Sequence, residues 1–179
     1  CLSGKVLFCL FFILFCLMII VPGVNAQSFS YSDGRDSWDP DSLGNHRFVV
    51  QLTQPEFQKN KSAAHVIIPW RRRDFSPELK RIIVVDAATG HRILNTLVAS
   101  IKRESGEIYF EPVSGAGNYY VYYMPYRNEG RSNYPKGVYL KPDVTASKEW
   151  QDLVHSSSGF AEAVATTYQP VNAFNSFYP

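Results

Sequence analysis

The chain has 179 residues, a formal net charge of +2 and three cysteines. So even a charge balance argues against nucleic acid as a partner. Because Cys1, Cys9 and Cys16 all precede residue 27, disulfide frameworks, zinc-thiolate sites and cysteine nucleophiles are excluded downstream.

Residues 6–21 form an unbroken apolar run, with Lys5 ahead of it, Pro22-Gly23 behind it and the small-residue exit Val24-Asn25-Ala26. This is the pattern of a secretory signal helix over residues 1–26. An uncleaved anchor over residues 6–24 is the rival, since a spanning helix needs about 20 apolar residues. The helix-breaking Pro22-Gly23 favours cleavage. Either route predicts a secreted, lumenal or membrane-anchored ectodomain, long enough for one domain with its own core. Asn60-Lys61-Ser62 is then an N-glycosylation acceptor in a eukaryotic host. A first residue of cysteine rather than methionine suggests that the sequence begins inside a longer one.

Residues 27–43 are rich in Ser, Asp, Gly and Pro and read as an exposed lead-in. From residue 44, short β-rich runs alternate with turn signals. Residues 46–52 and 64–70 are the first strand candidates, and Ile82-Ile83-Val84-Val85 suits a strand covered on both faces. Residues 93–102 and 107–110 flank Glu104-Ser105-Gly106 as a hairpin. The strongest strand signal is Tyr119-Tyr120-Val121-Tyr122-Tyr123-Met124, and residues 138–140 give a weaker one. After Pro142, Ser147 caps a helix carrying Trp150, Leu153 and Val154. Phe160, Val164 and Tyr168 predict a second helix ended by Pro170. The predicted class is mainly β: an antiparallel β-sandwich over residues 44–142, complete or short of strands. Two short C-terminal helices follow it as a connection over residues 143–179.

Chemistry is sparse. There is no Gly-x-Ser-x-Gly elbow. Gly115-Ala116-Gly117 precedes a strand, whereas a phosphate loop must open a helix. His46, His65, His91 and His155 make no metal-ligand spacing. Glu104 and Glu107 bracket a solvated turn, so no catalytic residue, metal ligand or cofactor is nominated. Trp70-Arg71-Arg72-Arg73-Asp74 is the most unusual feature, since an aromatic ring stacks on sugars and guanidinium groups fork onto hydroxyls and anions. Pairing of those arginines with Asp74, Glu78 or a neighbouring domain is the favoured alternative. Tyr120 and Tyr122 point away from Tyr119, Val121 and Tyr123, so the tyrosine strand meets a second layer, a neighbouring domain or a ligand.

Residues 67–74, 106–112, 118–126 and 174–179 together resemble the N-terminal region of large secreted proteins similar to glycoside hydrolase family 123. The resemblance covers about residues 44–179 and is most specific from Trp70 to Tyr126. It implies a β-sandwich ahead of a (β/α)₈ catalytic barrel that removes β-linked N-acetylgalactosamine by substrate assistance, using an adjacent Asp-Glu pair. This chain has no adjacent Asp-Glu pair and no room for such a barrel. The expectation is therefore a non-catalytic scaffold whose partner is the barrel of the same polypeptide. A free-standing glycan-binding or adhesion module is the alternative, with Trp70, Arg71, Arg72, Arg73, Tyr120 and Tyr122 as contacts to the glycan or the adjoining domain.

Overall fold

The computed structural model describes residues 29–53, 63–70, 72 and 74–171. The chain is mainly β. In order come β1 (Ser30–Tyr31), the short helix α1 (Pro40–Leu43), β2 (His46–Leu52), β3 (Ala64–Pro69), a 3₁₀ turn (Pro77–Leu79) and β4 (Ile82–Asp86). There follow β5 (Thr96–Ile101), β6 (Ser105–Phe110), β7 (Gly117–Tyr123), β8 (Tyr126–Arg131), β9 (Tyr134–Tyr139), α2 (Lys148–Ser156) and β10 (Ala161–Pro170). One sheet runs β4-β7-β2-β10-β3-β6-β5, with β1 also on β10, and β8 and β9 pair separately.

The sheet folds back on itself at β10. Ala161 and Glu162 pair in parallel with Ala64 and His65, while Ala163 onward pairs antiparallel with β2. The result is a nearly closed, sandwich-like sheet whose core lies between its two halves. Strand alternation decides what enters it. Phe48, Val50 and Leu52 of β2, Tyr119, Val121 and Tyr123 of β7, and Ile108 and Phe110 of β6 point inward with Val66 and Ile68. The opposite parity forms two outer layers. Ile83, Val85 and Tyr122 lie under Trp38 and Leu43, and Leu97 and Tyr109 lie under Trp150 and Val154 of α2.

Three expectations change. Residues 160–168 form no helix, because most of them belong to β10. The spacing of four between Phe160, Val164 and Tyr168 suits one face of a helix, and it suits one face of a strand equally well. Ala161, Ala163 and Ala165 carry the buried alternation instead, Val164 is exposed, and a bulge between Ala165 and Thr167 turns Tyr168 inward. The lead-in is structured where it is described: β1 pairs in parallel with β10, and Trp38 packs edge-on against Tyr122 at 5.6 Å. The segment after Pro142 is not a mere connection, since it supplies the strand between the two halves. The Ser147 cap stands as expected, with its side chain accepting from the Trp150 amide at 3.2 Å. The leader, Asn60, Arg71, Arg73 and residues 172–179 lie outside the described residues. No helix among the described residues is long and apolar enough to cross a membrane.

Candidate functional site

Trp70 continues the line of β3 at the end of the core, and its indole is 4% exposed. Its Nε1 donates to the Lys102 carbonyl at 2.8 Å, and its ring covers Gly106 where any Cβ would collide with it. The ring stacks on Tyr123 at 5.1 Å, and Tyr123 stacks in turn on His46 at 5.5 Å. His46 stacks on Tyr168 at 6.1 Å and shares a 2.8 Å hydrogen bond between Nδ1 and the Tyr168 hydroxyl. Arg72 closes the other end of this ladder, with Cζ 5.3 Å from the Trp70 ring. Its Nε and Nη2 donate to the Asp74 carboxylate at 3.0 and 2.9 Å, and Lys80 reaches the same carboxylate at 2.8 Å. Burial pushes the Asp74 carboxyl up, but the Arg72 and Lys80 hydrogen bonds outweigh it and hold the group below its usual range. Trp70 and Arg72 are thus spent inside the domain.

Tyr120 and Tyr122 face the outer layer, where Arg47 of β2 lies between aromatic rings. Its Cζ is 3.8 Å from the Tyr120 centroid and 4.3 Å from that of Trp38. Arg47 Nη1 donates to the Tyr122 hydroxyl at 2.9 Å and Nε to Gln169 at 2.6 Å. The cation sits in an aromatic cage and is hydrogen-bonded as well, so both tyrosines serve the contact between sheet and lead-in. The structure therefore brings Trp70 and Arg72 together, and Tyr120 and Tyr122 together, at two separate places.

Among the described residues, two openings and one histidine cluster concern the surface. Where the edge strands β4 and β5 approach each other, a groove of about 360 Å³ is lined by Ile82, Leu97 and Ile101 together with Lys80, Arg92 and Asp143. Its charges are largely consumed internally: Lys80 by Asp74, and Arg92 and Arg81 by Asp143. On the outer face beside α2, His65 meets Glu162 through Nδ1 and Glu107 through Nε2, at 3.1 and 3.2 Å, and stacks on Tyr109 at 4.7 Å. This cluster ties β3, β6 and β10 together. A second opening, of about 220 Å³, lies at the foot of the β8-β9 hairpin and is lined by Asn45, His46, Met124, Tyr126, Gly137 and Tyr139.

Sequence reasoning missed this last site because β8 was not foreseen and β9 only in part. The polar run Glu129-Gly130-Arg131-Ser132-Asn133, flanked by Tyr126 and Tyr139, was the signal that could have shown it.

Fold and interior together define a β-sandwich module in which Trp70, Arg72, Tyr120 and Tyr122 serve its own packing. Residues 36–173 match the family model described as glycoside hydrolase 123, N-terminal domain. The chain belongs to that family through this N-terminal domain. No curated protein and no solved structure matches it.

Proposed function

We propose that the chain is the non-catalytic N-terminal scaffold of a secreted glycoside hydrolase-like protein, whose chemistry resides in a separate catalytic barrel acting on β-linked N-acetylgalactosamine. The match to the family's N-terminal domain over residues 36–173 carries this reading. The surface beside the β4-β5 groove supports it. Val144 lines the groove and is exposed, Leu79 lies between the lining residues Glu78 and Lys80, and Phe75, earlier in the same segment, is 92% exposed. Such apolar side chains suit a surface that an adjoining domain covers.

Purified chain incubated with a chromogenic β-N-acetylgalactosaminide should release no product. Turnover that survives repurification and saturates with substrate would overturn the scaffold reading. For secretion, the expected mature N-terminus is Gln27 in an intact-mass spectrum of the exported protein. Retention of residues 6–24 in a membrane fraction would replace secretion with anchoring.

A further inference from the structure

We infer that the opening at the foot of the β8-β9 hairpin is a binding site for one uncharged pyranose ring. The inference stands independently of the scaffold proposal, because it rests on the chemistry of this opening alone. Two tyrosines form a cross-strand pair, Tyr126 opposite Tyr139, and both line the space. Tyr139 is 48% exposed and so presents part of its ring to solvent. Beside this pair, two residues along β9 and on the same face as Tyr139, Gly137 lies opposite Asn128, and a Cβ placed there would meet only Tyr126 within 4 Å, at 3.6 Å. A glycine at this position keeps open a floor that any larger side chain would fill.

The polar groups are neutral and directional. The Tyr126 hydroxyl donates to Asn45 Oδ1 at 3.2 Å, which fixes the carboxamide and leaves its two N–H donors for a ligand. His46 uses Nδ1 on Tyr168, and its Nε2 makes no hydrogen bond among the described residues. Burial, and secondarily the Arg72 charge, lower the His46 pKa to about 4, so the imidazole is neutral at physiological pH. Among the described residues, no carboxylate, guanidinium or ammonium lines the space. Lys80 approaches the Tyr139 ring at 5.4 Å but is paired with Asp74.

The backbone is committed to this shape as well. Met124 has φ 59°, an uncommon value for a residue other than glycine, and it turns β7 sharply into the hairpin. Gly44 has φ 82°, and a Cβ there would come within 2.8 Å of the Met124 carbonyl oxygen. Aromatic walls beside a fixed amide and a neutral imidazole recognise a ring that is apolar on its faces and hydroxylated at its rim. A volume of about 220 Å³ admits a single such ring.

The test is an NMR titration of the full chain with N-acetylgalactosamine, galactose, glucose and glucuronate. At least one neutral sugar should bind saturably with millimolar affinity, and more tightly than glucuronate. Tyr139→Ala and Gly137→Leu should each weaken it about tenfold or more. Tyr134→Ala should leave it unchanged, because Tyr134 is 83% exposed and alternates onto the other face of the hairpin. Melting temperatures near that of the parent would show that both pocket variants fold. Absence of saturable binding by any neutral sugar, preference for glucuronate, or equal affinity in the two pocket variants would each overturn the inference. The hydrolase assay above reads a different property, so the two ideas fail separately.

Discussion

Trp70 shows how one side chain's surroundings reverse the meaning of its sequence context. Beside three arginines it resembles a sugar platform, yet the hairpin opposite places Gly106 and the Lys102 carbonyl so that the indole is packed on one side and hydrogen-bonded at its edge. Removing it would open a cavity and strand that carbonyl. Trp70→Ala should therefore destabilise the domain by about 3–5 kcal/mol, measured by urea unfolding. Loss of glycan binding at unchanged stability would instead mean that the ring reaches a ligand.

Elements differ in how much of themselves they advertise. β2 begins and ends where alternation predicts, and the Ser147 cap marks the start of α2, because both signals are local. Replacing Ser147 with Ala should cost about 1 kcal/mol by removing the acceptor for the Trp150 amide; an unchanged unfolding midpoint would show that the cap is redundant. β10 was not legible. Its inward face is alanine, which carries little β signal, and its register is set by a bulge that sequence spacing does not reveal. The hairpin β8-β9 was hidden for another reason: its residues are largely exposed on both faces, so no hydrophobic alternation betrays the strands. Of the candidate contacts, the aromatic character of Trp70, Tyr120 and Tyr122 was visible in sequence. Which of them would be covered depended on Gly106, Arg47 and Trp38, residues far away along the chain.

For the molecule as a whole, the buried ladder links stability to pH. His46 is held neutral down to about pH 4 in the fold, against 6.5 in an unfolded chain. As pH falls through this window the unfolded state takes up the proton first, so stability is full above pH 6.5, declines toward 4 and then levels off. The full span corresponds to about 3 kcal/mol. The shift of Asp74 acts in the same direction but only in more acid solution, where a carboxyl titrates. Unfolding free energies measured across this range should slope downward toward acid, and His46→Gln should flatten the slope. An equal slope in both proteins would place its origin elsewhere.

The position of β10 has a consequence for biosynthesis. The strand that joins the two halves emerges from the ribosome after every other strand described, yet it lies between β2 and β3, which are made about 90 to 110 residues earlier. Until it arrives, those two strands each offer an unsatisfied edge to any neighbouring nascent chain. Closure is therefore a late event, and the interval before it is the period in which this domain most needs a chaperone.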